Sequence, residues 1–286
     1  MIVVTGATGQ LGRAIVQQLL KRTQNIGISV RDAVKAAEFS AAGVRVRKAD
    51  FEDAESLRHA FEGATQVLMV SSNARATGGD PLAQHRRATE VARAAGVKRI
   101  FYTSQISASP TSAFNPGLDH GATELMLRES GLPFTSLRNG FYATTAVAMT
   151  LGAIKSGELV APADGKFSWV AHADLAEAAA VTLTGSETFE GPTPPLTGAE
   201  ALDFTQLCAL ASELTGREIR RITVSDDEYC ERMIAKGTPA GAAKFMLGMF
   251  IAARRTEFAA VDPTLERLIG RKPISVRELL IASGVR

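Results

Sequence analysis

The chain has 286 residues, of which 45% are hydrophobic and 22% charged, and its formal net charge is +2. This composition is typical of a globular α/β enzyme, and the small net charge argues against a broad nucleic-acid-binding surface. Its two cysteines form neither a disulfide framework nor a metal-like spacing, so we expect no metal site and a reducing, cytoplasmic location. The N-terminus lacks a charged leader and no apolar stretch reaches the ~20 residues of a membrane span, so we expect neither signal peptide nor span.

The first predicted element is a strand that leads through a glycine-spaced turn into a helix. The apolar run Met1–Val4 is typical of a buried parallel strand. Gly6, Gly9 and Gly12 follow at three-residue spacing, and apolar residues then recur at helical intervals. In such a unit Gly6 permits the tight turn, Gly9 lets the backbone approach a pyrophosphate, and Gly12 allows close packing of helix on strand. The free N–H groups at the helix start predict a dinucleotide-binding site.

Strands and helices alternate through the first half of the chain. Further strands are predicted at Ile26–Val30, Val44–Asp50, Val67–Val70, Arg99–Thr103 and Phe134–Arg138. Helices are predicted at Ala54–Phe61, Leu82–Ala95 and, after a loop that contains Pro110 and Pro116, Asp119–Ser130. Repeated strand–helix units with right-handed crossovers predict an α/β Rossmann fold, a doubly wound parallel sheet with helices on both faces.

The alternation weakens after about residue 150. We therefore expect a dinucleotide-binding domain over residues 1–150 and a smaller, mostly helical substrate portion over 151–286, with about 165–185 returning to the first domain. Capping boxes are predicted to begin helices at Asp174–Glu177, Ser225–Glu228 and Ser275–Glu278. The apolar segment 245–253 is interpreted as a core helix, with a flap over an apolar substrate as the alternative.

The end of the second predicted strand bears on the choice of nucleotide. An acidic residue there holds the ribose 2′-hydroxyl of NAD, whereas an arginine accommodates the 2′-phosphate of NADP. Arg31 precedes Asp32, and its planar fork of donors suits a phosphate, so NADP(H) is favoured over NAD(H). The alternative for Arg31 is a solvated surface charge. Asp50, after the third strand, has two open interpretations, an acceptor for the adenine amino group or a helix cap.

The motifs together resemble those of a known family. The more specific matches are the segments Thr5–Gly12, with the sequence TGATGQLG, and Arg138–Tyr142, and weaker ones extend to Leu268–Pro273. On these residues the chain is identified as a member of the atypical short-chain dehydrogenase/reductases, in the NmrA-like branch with NADPH-dependent quinone oxidoreductases and triphenylmethane reductases. The resemblance implies that the cofactor pyrophosphate is lined by Gly6, Thr8, Gly9, Gln10 and Leu11.

The resemblance also implies positions for the rest of the cofactor and for the substrate. Arg31 is expected at the 2′-phosphate. Ser71, Ser72 and Thr103 are expected near the nicotinamide ribose. The run Asn139–Tyr142 is expected to border the nicotinamide ring and the substrate.

One departure from the wider superfamily bears on mechanism. Most of its enzymes carry a Tyr-x-x-x-Lys pair after the fifth strand, and here Pro116 and His120 take those two places. The missing tyrosine removes the usual proton donor to a carbonyl, which disfavours ordinary alcohol–ketone chemistry. A quinone suits such a site better, because hydride transfer leaves a phenolate-like anion, with a pKa of about 10, that water can protonate.

The predicted reaction is therefore hydride transfer from NADPH to a flat quinone-like acceptor, oriented over the nicotinamide in a dry pocket. Asn139 and Tyr142 are the candidates that orient the acceptor, and His120 is the candidate polar helper or proton relay. The alternatives are that nearby backbone satisfies His120 and that Tyr142 belongs to the core.

The other three histidines are not candidates for catalysis. His85 is predicted on a solvated helix face beside Arg86 and Arg87, with Gln84 as the better inward candidate. His59 and His172 are predicted to be structural.

A second function remains open at this point. The missing Tyr–Lys pair also suits a non-catalytic redox sensor that binds NADP(H), for which we expect a shallow, plugged pocket. An isomerase or lyase is a third alternative that fold analogy alone supports. The expected partner is a small quinone-like molecule, with no nucleic acid and no membrane, and formation of a homodimer is left open.

Overall fold

The structure is a computed structural model that describes residues 1–185 and 189–285. Its strands are β1 (Ile2–Thr5), β2 (Ile26–Val30), β3 (Arg45–Lys48), β4 (Gln66–Met69), β5 (Arg99–Gln105), β6 (Phe134–Asn139), β7 (Phe141–Tyr142), β8 (Glu158–Pro162), β9 (Trp169–Val170), β10 (Gly191–Pro192) and β11 (Arg220–Val224). Its helices are α1 (Gln10–Leu20), α2 (Ala37–Ala41), α3 (Ala54–Phe61), α4 (Pro81–Ala94), α5 (Asn115–Glu129), α6 (Ala143–Ser156), α7 (His172–Thr184), α8 (Phe204–Thr215), α9 (Asp226–Ala235), α10 (Ala240–Arg254), α11 (Thr264–Ile269) and α12 (Val276–Ala282).

Seven of these strands form one sheet in the order β10–β6–β5–β4–β1–β2–β3, and all its pairings are parallel. The chain runs outward from β1 to β3, then crosses back and continues from β4 to β6 on the other side. This confirms the predicted doubly wound Rossmann fold. The strand order reverses between β1 and β4, so a ligand is expected beyond the carboxyl ends of these two strands.

Burial explains why the strand predictions were successful. The strands β1 and β2 are buried along their whole length, which agrees with their uninterrupted apolar or small residues. The strand β3 lies at the sheet edge, where its basic side chains remain half-buried or exposed.

The helix after β5 begins earlier than the sequence predicted. The helix α5 starts at Asn115, whereas the prediction placed 115–118 in a loop because of Pro116. Proline lies within the first turn, where its missing N–H has no helical partner to lose, so it starts this helix rather than preceding it. Pro116 and His120 therefore both lie on α5.

The helix α7 lies against the N-terminal half of the chain. It packs on α1 and shares one apolar core with it, in which Leu175 and Ala179 join Leu11 and Ile15. On this packing we propose that α7 belongs with residues 1–150, whereas Phe167 and Trp169, earlier in the predicted return over about 165–185, pack in the second core. The division at about residue 150 stays a prediction.

A second apolar core holds the rest of the C-terminal half together. Aromatic residues dominate it, and the rings of Phe141 and Phe258 lie 4.9 Å apart at its centre. Met249 and Phe250 of α10 are buried in this core, which agrees with the interpretation of segment 245–253 as a core helix. Phe245 and Met246 at the start of that segment are 39% and 40% exposed.

The three predicted capping boxes have different outcomes. Ser275 forms the complete box at α12, and Ser225 caps α9 by accepting a hydrogen bond from the third residue of the helix. The prediction for Asp174 is wrong, because α7 begins two residues before it. Asp174 is instead fully buried, with its carboxylate 2.7 Å from the Arg271 guanidinium and accepting a 2.7 Å hydrogen bond from Ile274 N–H.

Within the described residues, none of the helices has the length and apolar character needed to cross a bilayer.

Candidate active site

A cleft of about 730 Å³ opens at the carboxyl ends of the central strands, where the strand order reverses. Apart from Thr103, every residue predicted to bind the cofactor lines this cleft. These residues are Gly6, Thr8, Gly9, Gln10, Leu11, Gly12, Arg31, Asp50, Ser71 and Ser72. Of the predicted catalytic residues, Tyr142 lines the cleft, whereas Asn139 and His120 do not.

The glycine turn at the first strand leaves a cradle that any side chain would fill. Gly6 has a φ of +62°, and its carbonyl accepts a 3.0 Å hydrogen bond from Gly9 N–H. A Cβ on Gly12 would lie only 2.3 Å from that carbonyl oxygen, so α1 can approach β1 only through a glycine. A Cβ on Gly9 would lie 3.3 Å from the same oxygen, which the fold tolerates.

The start of α1 is suited to an anion. No side chain caps this helix, and its first turn carries no acidic residue. Its first N–H groups therefore have no partner within the described part of the chain and point towards the cleft, where the helix dipole favours negative charge. These residues fit a dinucleotide pyrophosphate.

A cation lies in the cleft wall at the end of β2. Arg31 is exposed and lines the cleft, and its side chain has no hydrogen bond or ion pair with any residue that the structure describes. Asp32 is absent from the lining, and its carboxylate accepts a 3.0 Å hydrogen bond from Val34 N–H. Of these two neighbours, Arg31 alone lines the cleft, and its guanidinium is available for a phosphate.

Asp50 lies in the cleft wall and does not cap a helix. Its carboxylate accepts a 3.0 Å hydrogen bond from Glu52 N–H, and the cap of α3 is Asp53. The helix-cap interpretation of Asp50 is therefore wrong. The adenine contact stays a prediction.

The wall after β4 is held from behind by two buried side chains. Ser71 N–H donates a 2.8 Å hydrogen bond to Oγ1 of Thr103, which explains why Thr103 supports the cleft without lining it. Ser72 N–H donates a 2.9 Å hydrogen bond to Nε2 of His85. The Ser72 hydroxyl donates to the Gln84 amide oxygen, so Gln84 points inward as predicted.

The prediction for His85 is wrong. It is only 1% exposed, because it shares the inner face of α4 with Ala88 and Thr89 rather than the outer face with its arginine neighbours. Burial lowers the pKa of His85 to about 3, so the imidazole is neutral at pH 7. Its Nε2 accepts from Ser72, and its Nδ1 therefore donates to Thr123 Oγ1, 2.9 Å away.

His120 lies one layer behind the cleft wall. Its Nδ1 is 2.7 Å from the hydroxyl of Tyr102, which is fully buried in β5. The alternative that nearby backbone satisfies His120 is thus wrong, because its partner is a side chain. Burial lowers the pKa of His120 to about 4 and raises the pKa of Tyr102. A role for His120 as helper stays a prediction, and it would act without direct contact with the cleft.

Tyr142 and His172 form the opposite end of the cleft from Arg31. The short strand pair β7–β9 sets Tyr142 beside Val170, two residues before His172, and the two rings lie 4.3 Å apart. Burial raises the pKa of the Tyr142 phenol, and the neighbouring Asn139 side chain partly opposes this shift. Asn139 is buried behind Tyr142, so it supports that ring rather than facing the cleft.

The sequence interpretation missed His172 and Thr144, which line the cleft. No local pattern marks them, since Thr144 is the second residue of a helix of ordinary composition and His172 is the first residue of an alanine-rich one.

Among the residues that the structure describes, no group of His, Cys, Asp and Glu side chains could hold a metal ion. Charged side chains in the cleft lining are confined to Arg31 and Asp50.

The sequence matches the NmrA-like family over residues 1–275. It is 34% identical over 281 residues to quinone oxidoreductase 2 of Escherichia coli (strain K12), a match that covers 97% of this chain and 96% of that protein. The structure is similar to an Escherichia coli NADPH-dependent quinone oxidoreductase in complex with NADPH, with a TM-score of 0.93, 33% identity, and coverage of 99% and 100%. It is also similar to Citrobacter sp. triphenylmethane reductase in complex with NADP(H), with a TM-score of 0.88, 32% identity, and coverage of 99% and 100%. This chain, with its glycine cradle and its pairing of Tyr142 with His172, therefore belongs to the NmrA-like family.

Proposed function

We propose that this chain is an NADPH-dependent reductase that transfers hydride to a quinone or a related flat, conjugated acceptor. The observation that carries the proposal is one continuous cleft that combines an anion cradle, a free arginine and an uncharged aromatic end. The similar proteins are named for the reduction of quinones and triphenylmethane dyes. NADP(H) is the favoured cofactor, because Arg31 lines the cleft and Asp32 does not.

In this mechanism the cofactor, when bound, supplies the hydride. The protein orients the two reactants and excludes water from them. Gly9 and the first turn of α1 hold the pyrophosphate, and Arg31 holds the 2′-phosphate. Ser71 and Ser72 border the nicotinamide ribose, each held by a buried partner. Tyr142 orients the flat acceptor, with Asn139 behind it.

The uncharged acceptor end suits a reaction that needs no tuned acid. The superfamily tyrosine position holds Pro116 here, and His120 is turned towards Tyr102. Reduction of a quinone leaves a weakly basic, phenolate-like anion that solvent can protonate. A ketone would leave a strongly basic alkoxide, and burial makes the Tyr142 phenol at this end of the cleft a weaker acid than an exposed tyrosine.

The test is NADPH oxidation with benzoquinone and naphthoquinone, followed by the loss of NADPH absorbance. We expect turnover by the wild type and its loss in Gly9→Val, whose side chain would enter the pyrophosphate cradle. NADPH binding without turnover on any acceptor would favour the redox sensor instead. The open cleft argues against that alternative, which predicts a shallow, plugged pocket.

We also propose a cytoplasmic location and a homodimer. Both cysteines in the chain, Cys208 and Cys230, are free thiols, which suits a reducing compartment.

Leu118 and Leu125 are 38% and 54% exposed at a spacing of two turns on α5. Sedimentation equilibrium of the wild type and of Leu125→Glu tests the homodimer, since a charge on this face should yield monomers.

A further inference from the structure

His172 is the titratable side chain of the cleft that the proposed mechanism leaves unused. It lines the cleft and is half-buried, and its Nδ1 is enclosed by protein. Within residues 1–185 and 189–285, no group forms a hydrogen bond with either of its ring nitrogens. Buried polar atoms normally have partners, so this imidazole calls for a function.

The position of the imidazole proton follows from the burial of Nδ1. Buried N–H groups without an acceptor are rarer than buried acceptors without a donor, so we assign the imidazole proton to Nε2. Burial also lowers the pKa of His172, which favours the neutral ring. Since Nδ1 is enclosed and the residue lines the cleft, the accessible ring edge carries Nε2–H.

The backbone and one aromatic neighbour hold this ring in place. His172 is the first residue of α7, which packs on the pyrophosphate-binding helix α1. The Tyr142 ring lies 4.3 Å away at an angle of 44° and restricts rotation of the imidazole. Arg31 follows β2, whereas Tyr142 comes three residues after the end of β6, which is separated from β2 by β1, β4 and β5 in the sheet.

We propose that His172 donates a hydrogen bond from Nε2–H to the carbonyl oxygen of the quinone-like acceptor on which negative charge develops. This inference rests on the proposed function. Hydride transfer adds two electrons and one hydrogen nucleus to the quinone, which leaves one negative charge on an oxygen until water supplies the second proton. A neutral, pre-oriented donor stabilises that charge without giving up its own proton. His172 is then a catalytic residue that acts beside Tyr142.

The test uses variants that separate the two ring nitrogens. The amide nitrogen of His172→Gln reaches the Nε2 position, whereas that of His172→Asn reaches only the Nδ1 position. His172→Leu has no donor. The exposed residue His59 provides a matched control, His59→Gln.

We expect His172→Leu and His172→Asn to lower kcat for 1,4-naphthoquinone by about 10- to 100-fold, with a smaller change in KM. His172→Gln should stay within about fivefold of the wild type, an estimate for a retained donor. The Kd of NADPH, measured by fluorescence titration, should remain unchanged in all three, because the donor addresses the acceptor. The Kd of 1,4-naphthoquinone for the NADP⁺-loaded protein, measured by calorimetric titration, should differ little between the variants and the wild type. The negative charge that His172 stabilises is absent before reduction.

Equal losses in His172→Gln and His172→Leu would overturn the proposal, as would unchanged kcat in His172→Leu. A weakened NADPH complex would assign His172 to the cofactor instead and would also overturn it. Should His172→Leu fail to fold, the comparison of His172→Gln with His172→Asn decides alone. Absence of turnover in the wild type with every quinone would refute the proposed function, which is a different outcome from any of these.

Discussion

We propose that nucleotide selection depends on the side chain of Arg31. Replacing it by alanine removes the only cation of the described cleft lining, so binding of NADPH should weaken about 10- to 100-fold, the value of a charged hydrogen bond of about 1.5–3 kcal/mol. Binding of NADH, which lacks the 2′-phosphate, should change little. Fluorescence titration with both nucleotides measures the two dissociation constants. Arg22→Ala, an exposed arginine outside the lining, is the control, and equal losses for NADPH and NADH would refute the 2′-phosphate contact.

His85 should make the stability of the fold depend on pH. Its pKa is about 3 in the folded protein against 6.5 when exposed, so only the unfolded chain binds the proton between these values. The free energy of unfolding is then highest above pH 6.5 and falls as the pH decreases, by about 2 kcal/mol from His85 between pH 7 and pH 5. His120, with a pKa of about 4, acts in the same direction.

Urea unfolding of the wild type and His85→Gln at the two pH values checks this expectation. The variant should lose a large part of the pH dependence, whereas His59→Gln, at an exposed site, should retain it. If the free energy of unfolding depends on pH as steeply in His85→Gln as in the wild type, the His85 imidazole is not kept neutral by the fold.

At the scale of elements, two glycines of the turn between β1 and α1 have different roles: Gly12 allows helix packing, and Gly9 leaves space for the phosphate. The Cβ of Gly12→Ala would lie 2.3 Å from the Gly6 carbonyl oxygen, so α1 must shift and the free energy of unfolding should fall by about 1–3 kcal/mol. The Cβ of Gly9→Ala would lie at 3.3 Å, which costs less than about 1 kcal/mol in a cap position. Its methyl group enters the cradle, so NADPH affinity should nevertheless fall.

Urea unfolding and NADPH titration of both variants separate the packing role of Gly12 from the phosphate-binding role of Gly9. The expected pattern is a destabilised Gly12→Ala and a stable Gly9→Ala that binds NADPH poorly. A stable Gly12→Ala would contradict the packing argument, and full affinity in Gly9→Ala would contradict the phosphate contact.

A buried ion pair connects α5 to the sheet. Glu124 is only 5% exposed. Its carboxylate accepts hydrogen bonds from Ser104 Oγ at 2.7 Å and from the Arg138 guanidinium at 2.6 Å. Hydrogen bonding to Glu124 raises the pKa of Arg138. In the motif Arg138–Tyr142, Arg138 therefore has a structural role, and of these five residues only Tyr142 lines the cleft.

At the scale of the whole molecule, Arg271 connects the C-terminal segment to the nucleotide-binding half. Its guanidinium lies 2.7 Å from both Asp174 and Glu177 on α7. Arg271→Ala leaves the fully buried Asp174 carboxylate without its cation, so the free energy of unfolding should fall by about 2 kcal/mol. Because α7 packs on α1, we also expect weaker NADPH binding.

Urea unfolding of Arg271→Ala measures this loss. The control is Arg277→Ala, which removes an exposed pair with Glu213 and should leave the unfolding curve unchanged. Similar curves for the two variants would mean that the contact with Asp174 contributes no more than a surface ion pair.

Local patterns predicted most of the nucleotide-binding half. The first strand, turn and helix lie within residues 1–20, where each glycine role depends on neighbours in the chain. The capping box at Ser275 is equally local, because its partner is three residues away. Asp174 shows the limit, since its sequence pattern is the same but its partner Arg271 comes from a distant segment.

The histidines show why the candidate site was only partly predictable. His85 and its arginine neighbours are adjacent in sequence, but packing of α4 against the sheet turns the imidazole inward and the guanidinium groups outward. His172 reaches the cleft because β9 pairs with β7 and α7 packs on α1. These contacts join residues far apart along the chain, and no periodicity within either segment encodes them.

The alternation of apolar runs and the glycine spacing predicted the Rossmann fold and a dinucleotide site beside the first strand, and Arg31 at the end of the second strand predicted NADP(H). Residues that are close together in the chain carry each of these signals. The acceptor end of the cleft depended on long-range pairing. Tyr142 and His172 become neighbours, and His120 turns to Tyr102, only when separate segments bury their apolar faces against one another.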